Sequence, residues 1–169
     1  MNAFRLIPLS FIRETGLIQF LKPMIVFATG VFDLLHIEHL NFLRAAKKLG
    51  GKLVVGIESD ARTKRLKVPN RPIMNQAERK HMLEALDCVD EVIVLPDKFN
   101  SDEEYEKILL SVGADIYAVS GNSPFMENKE RICRKAGVKL KVVNRYNPEY
   151  STTKLINKLT CRPVGLISL

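Results

Sequence analysis

The sequence predicts an α/β fold: a doubly wound, five-stranded parallel sheet with helices on both faces. Three observations predict it. Short β-rich apolar runs alternate with helix-patterned segments from residue 24 onward. Glycines punctuate the joins, at Gly30, Gly50-Gly51 and Gly137. The 169 residues are enough for one domain with a real core and no staples.

The elements follow in order. Residues 24–28 form an apolar run ending at Thr29-Gly30, a strand and then a turn. Residues 39–49 carry Leu40, Leu43, Ala46 and Leu49 at helical spacing and stop at Gly50-Gly51. Residues 53–57 read as a second buried strand, and the polar, basic stretch 60–71 as a loop. Residues 76–86 read as a helix with Met82, Leu83 and Leu86 inward, and 91–95 as strand three. Ser101 with Glu104 three residues on is a capping box, opening a helix over 102–112. Strand four covers 116–119, a helix covers 125–136, strand five covers 138–143, and a last helix covers 151–159. In such sheets ligands sit beyond the carboxyl ends of the strands, where strand order reverses. The loops after strands one, four and five are therefore where a site is expected.

Composition narrows the partners. The net charge of +7 and pI near 9.4 favour polyanions, and triphosphates, nucleic acid and acidic lipid all qualify. The basic tract Lys129, Arg131, Arg134, Lys135, Lys139 and Lys141 reads as a solvated face, and no aromatic-basic RNA motif accompanies it. Nucleic acid is not the expected partner. Cys88, Cys133 and Cys161 form neither a CxxC pair nor a zinc spacing, and read as reduced thiols of a cytoplasmic protein. Residues 1–23 are apolar but interrupted by Arg5, Arg13, Glu14 and Lys22, too often for the ~20-residue run of a membrane span. They read as an N-terminal arm ahead of a domain over 24–160, with a tail over 161–169.

The first loop carries the chemistry. Thr29-Gly30 permits a tight turn and close approach of a ligand to the backbone. His36 and His39 lie three apart and share a face at the start of a helix, whose free N–H groups attract phosphate. Two imidazoles there make a cradle for a triphosphate. Charge builds on phosphate oxygens during attack at the α-phosphorus, and preorganised donors stabilise it. His81 is read as an exposed helix residue without a role.

The stretch 29–39 resembles the HxGH signature of the cytidylyltransferase-like nucleotidyltransferase superfamily. Further motifs match in order: 59–67, Arg71-Pro72, Glu78-Arg79, Val89-Asp90-Glu91-Val92-Ile93, and the terminal Ser151-Thr152-Thr153-Lys154-Leu155-Ile156. The resemblance implies a Rossmann-like fold. It also implies transfer of AMP or CMP from a nucleoside triphosphate to a phosphorylated sugar or polyol, releasing pyrophosphate. The middle motifs are most similar to the adenylyltransferase domain of ADP-heptose synthase, which favours ATP and a heptose 1-phosphate-like acceptor. Glycerol-3-phosphate cytidylyltransferase, with CTP, is the alternative.

Roles carried over are as follows. His36, His39 and Lys67 would act on the triphosphate and transition state. Thr29, Gly30, Val31, Phe32, Gly121, Asn122, Arg145, Ser151, Thr152 and Thr153 would bind the nucleotide, with the last three capping the final helix. Lys64 and Arg79 would meet the acceptor or phosphates, and Asp33 would stand on the acceptor side or hold the loop. Mg²⁺ is implied, carried by the triphosphate and water without a protein metal site. A homodimer is also implied.

The sequence departs from the family pattern at three places. Glu38 stands where the motif has Gly, Asn122 where relatives tend to have Asp, and residues 145–150 match poorly. A carboxylate at 38 repels polyphosphate or helps hold Mg²⁺. A nucleotide-binding module without turnover is the reading those departures favour.

Overall fold

The structure is a computed structural model that describes residues 22–67, 70–99, 101–144, 147 and 149–160. The expected arm over 1–21 and tail over 161–169 lie outside the described residues. So does Arg145.

Five parallel strands form one sheet: β1 (Ile25–Gly30), β2 (Lys52–Ile57), β3 (Glu91–Val94), β4 (Ile116–Ser120) and β5 (Lys139–Asn144). Their spatial order is β3-β2-β1-β4-β5, so the winding reverses between β1 and β4. The helices are α1 (Ile37–Lys47), α2 (Asp60–Leu66), α3 (Gln76–Glu84), α4 (Asp102–Val112), α5 (Met126–Ala136) and α6 (Thr152–Thr160).

Alternation along the strands divides the core into two layers. Val26 and Ala28 of β1, with Leu53, Val55 and Ile57 of β2, pack on Phe42, Leu43 and Ala46 of α1 and Leu83 of α3. Phe27 and Val54 point the other way, with Tyr117 and Val119, onto Leu109 of α4 and Ile132 and Cys133 of α5. Both faces are covered, which is why the central strands read as continuous apolar runs. β5 is an edge strand, and its Lys139, Lys141 and Val142 are exposed.

The fold is the expected one, with element ends moved by one or two residues. Two expectations are corrected. The stretch expected as a loop over 60–71 begins with α2. Ser59 Oγ accepts from the Arg62 N–H and caps it, and only Thr63 of its side chains is buried. A polar helix with one buried position has no apolar period to betray it. Met82 was expected inward but is 46% exposed. It sits about 100° round the helix from Leu83, on the flank of the buried stripe.

Candidate active site

The loop between β1 and α1 is strained and firmly held. Phe32 and Leu34 both adopt left-handed backbone, with φ 51° and 50°. Each such non-glycine residue costs ~1–3 kcal/mol, so the surroundings must impose the shape. Phe32 is buried, edge-on to His39 at 5.3 Å and stacked on Phe42 at 6.4 Å. Gly30 makes room for it: a Cβ there would lie 2.9 Å from the Phe32 ring.

Asp33, 1% exposed, is the main anchor. Its Oδ2 accepts from Arg71 Nε at 2.5 Å and Ile73 N at 2.9 Å, and its Oδ1 from Met74 N at 3.0 Å. Burial alone would raise its pKa, but the Met74 and Ile73 N–H groups and the Arg71 guanidinium hold the carboxyl below its ordinary value. Its backbone oxygen accepts from Thr152 Oγ1 at 2.7 Å. One residue thus ties the loop to the segment before α3 and to the first turn of α6.

That anchoring presents the two histidines. His36 is the N-cap of α1, with extended backbone and no side-chain cap bond, and His39 falls in the first turn. Their rings stack with centroids 3.7 Å apart and planes 19° from parallel. Both Nδ1 atoms are buried without a partner. Burial lowers the pKa of His36, which Glu38 partly offsets. Burial first, and then the neighbouring His36, push His39 down to about 3. Both rings are neutral at pH 7, and each keeps a buried nitrogen free to take a partner.

The histidines line a cavity of about 330 Å³ together with Ser151, Thr152 and Thr153 at the start of α6. Ser151 Oγ accepts from the Lys154 N–H at 3.1 Å and caps that helix. Lys67, just past α2, reaches the same cavity; its backbone N–H bonds Thr63 O, and its ammonium makes no ion pair within 4 Å among the described residues while acting at longer range on Glu58. Tyr117 of β4 lines it too, its OH bonded to Thr29 Oγ1 at 2.7 Å. The end of β4 and the end of β5 contribute Ser120, Asn122, Ser123, Asn144 and Asn147, a wall of hydroxyls and amides. The cavity therefore lies at the switch point, beyond the carboxyl ends of β1, β4 and β5.

Of the residues singled out in the sequence, Thr29, Gly30, Val31, Phe32, Asp33, His36, His39, Lys67, Asn122, Ser151, Thr152 and Thr153 converge on this one cavity. Lys64 is exposed on α2, and Gly121 gives its N–H to Asn144 O at 3.1 Å; neither lines the wall. Arg79 is corrected from a ligand contact to a buried brace. It is 0% exposed, and its nitrogens reach Met74 O at 3.1 Å, Val31 O at 2.6 Å and Asp60 Oδ1 at 2.7 Å. Asp33 does what one branch of its expectation held, fixing the loop. Arg71, Tyr117 and Asn144 were given no role from sequence. Arg71 stood in a matched motif without an assigned role and Tyr117 carried no signal of its own, whereas Asn144 ends a strand beside a loop already marked for inspection.

A model of the cytidylyltransferase-like family matches residues 27–158. The chain belongs to that family. Within this family's relatives, the bifunctional protein HldE of Syntrophotalea carbinolica is 34% identical over 139 residues, which is 82% of this chain and 27% of that protein. The FAD synthase of Aciduliprofundum boonei is 40% identical over 142 residues, 81% of this chain and 91% of that protein. The crystal structure of the lipopolysaccharide core biosynthesis protein from Thermoplasma volcanium superimposes with a TM-score of 0.59 at 29% identity, covering 75% of this chain and 98% of that one. The chain spans about a quarter or less of the length of the HldE proteins it matches, and among its described residues no helix is long and apolar enough to cross a membrane.

Proposed function

We propose that the chain transfers AMP from ATP to the phosphomonoester of a polyhydroxylated acceptor and releases pyrophosphate. The observation that carries this reading is the convergence of the stacked His36 and His39, Lys67 and the start of α6 on one cavity at the switch point. That wall offers donors to a polyphosphate at one side and neutral hydroxyls and amides at the other.

ATP is favoured over CTP by two likenesses. The middle motifs resemble ADP-heptose synthase, and a 40%-identical relative is named a FAD synthase. Both products carry an adenylyl group. A heptose 1-phosphate-like acceptor is the first choice. FMN is the second reading, favoured because the match runs through 91% of the FAD synthase. Both are phosphomonoesters next to several hydroxyls.

In the reaction an acceptor phosphate oxygen forms a bond to the α-phosphorus. The bond from that phosphorus to the bridging oxygen breaks, and pyrophosphate leaves with the electron pair. Imidazole and ammonium donors at His36, His39 and Lys67 stabilise the charge that builds on the phosphates. A phosphate beside the rings favours their charged form, so their depressed affinity for protons rises on binding. A bound Mg²⁺ would supply charge neutralisation on the triphosphate. Such an ion would be carried mainly by phosphate oxygens and water. Glu38 is the lining carboxylate not fully engaged, since Asp33 uses both oxygens and Glu38 accepts one bond, from Asn41 Nδ2 at 3.3 Å.

The test is pyrophosphate release from ATP or CTP with Mg²⁺ and heptose 1-phosphate, glycerol 3-phosphate or FMN. The expected result is release with ATP and one acceptor, lost in His36→Ala. No release above that control with any pair contradicts the proposal.

A further inference from the structure

Asn144, the last residue of β5, has a side-chain oxygen that is buried and meets no hydrogen-bond partner. Buried polar atoms are nearly always paired, because leaving one unpaired forfeits its hydration for nothing. The neighbouring amide differs: Asn122 Oδ1 already accepts from Ser120 Oγ at 2.7 Å.

The strand register puts Asn144 where it is. Val119 pairs with Val142 and Ser120 with Asn144, so Val143 is skipped. A register shift of this kind re-aims a side chain, as bulges beside functional sites do. The Asn144 backbone oxygen accepts from Gly121 N at 3.1 Å, which pins the strand end to the turn after β4. The residue lines the cavity that holds His36 and His39, whose Nδ1 atoms are also buried without partners. Three orphan atoms therefore belong to residues that line one cavity. Two belong to the histidines after β1. The third belongs to β5, two strands away in the sheet.

An amide oxygen can only accept. We infer that Asn144 is a specificity-determining residue whose Oδ1 accepts a hydrogen bond from a neutral N–H or O–H of the bound ligand. Two groups offer that chemistry: the exocyclic amine of an adenine or cytosine base, and a hydroxyl of the acceptor. The inference rests on the nucleotidyl-transfer reading above.

The test compares equilibrium binding of ATP with ITP, and of CTP with UTP, to the full chain. Each pair exchanges an amine for a carbonyl. Asn144→Leu removes the acceptor, and Asn144→Asp keeps it; thermal melts verify that both variants fold. The ratio within each pair is read, so added charge in the Asp variant cancels. If the base is the donor, the wild type prefers the amine by about tenfold, Asn144→Asp keeps the preference and Asn144→Leu loses it. If the acceptor is the donor, the ratios stay level. In that case Asn144→Leu weakens binding of the hydroxylated acceptor by about tenfold and leaves its deoxy analogue unchanged. Nucleotide and acceptor binding both unmoved in Asn144→Leu overturns the inference while leaving the proposed function standing. A wild type that binds no nucleotide removes the proposed function, and the inference with it.

Discussion

Thr152 Oγ1 donates a 2.7 Å hydrogen bond to the backbone oxygen of Asp33 across 119 residues of sequence. The bond is buried, and it joins the first turn of α6 to the loop that carries His36. The two halves of the phosphate cradle are thereby one mechanical unit.

Thr152→Val keeps the shape and deletes the donor. An unsatisfied buried acceptor costs ~1–3 kcal/mol, so the melting temperature falls, and ATP affinity falls with it. Asp33→Asn is worse: it strips Arg71, only 6% exposed, of its charge partner, a loss of ~3–5 kcal/mol. Denaturant unfolding of the two variants checks the ranking.

Arg79 separates bracing from ligand contact. Arg79→Met leaves Asp60 and the Val31 carbonyl without their buried partner, and stability drops by ~3–5 kcal/mol. If Arg79 instead met the ligand, the melt would be unchanged and only nucleotide affinity would suffer.

Lys67 behaves in the opposite way. It is exposed and makes no ion pair among the described residues, so Lys67→Ala leaves the melting temperature within about a degree, as surface changes do. The loss appears in kcat/KM for the nucleotide, about tenfold or more. Equal kcat/KM in the two proteins would assign Lys67 to solvent.

The histidines impose a pH slope. His39 titrates near 6.5 when unfolded and at about 3 in the folded protein. Between those values the unfolded chain holds the extra proton, so stability falls as pH falls. The slope approaches ~1.4 kcal/mol per pH unit for one proton. His39→Asn removes this contribution. Relative to it, the wild type loses on the order of 1–2 kcal/mol from pH 7 to pH 5, read by urea unfolding at each pH. Parallel stability profiles for the two proteins would show that His39 is not held neutral.

Glu38→Gly restores the residue the family motif has at that position. Metal-free ATP then binds several-fold tighter, because a carboxylate on the cavity wall is gone. An unchanged affinity, measured by calorimetry with EDTA present, would place the Glu38 charge away from the phosphates.

Much of this was legible in the sequence. The alternation of apolar runs and helical periods is a local property, so the succession of strands and of every helix but the polar α2 could be read directly. His36, His39 and the Ser151 to Thr153 run announced themselves because helix starts and close spacing are local too. Arg79 was misplaced since nothing in Glu78-Arg79 reveals that its guanidinium turns inward to Val31 O. Asn144 lay beside a loop marked in the sequence, but its aim was not legible: it depends on a register shift, which arises from pairing between strands and not from β5 alone.

The central claim is that the two imidazoles and the start of α6 form one polyphosphate pocket. The most direct measurement is a two-dimensional NMR titration with a non-hydrolysable ATP analogue. It follows the His36 and His39 ring signals and the Thr152, Thr153 and Lys154 amides together. The account predicts that both sets shift with the same dissociation constant. Movement of one set alone, or of neither, would contradict it.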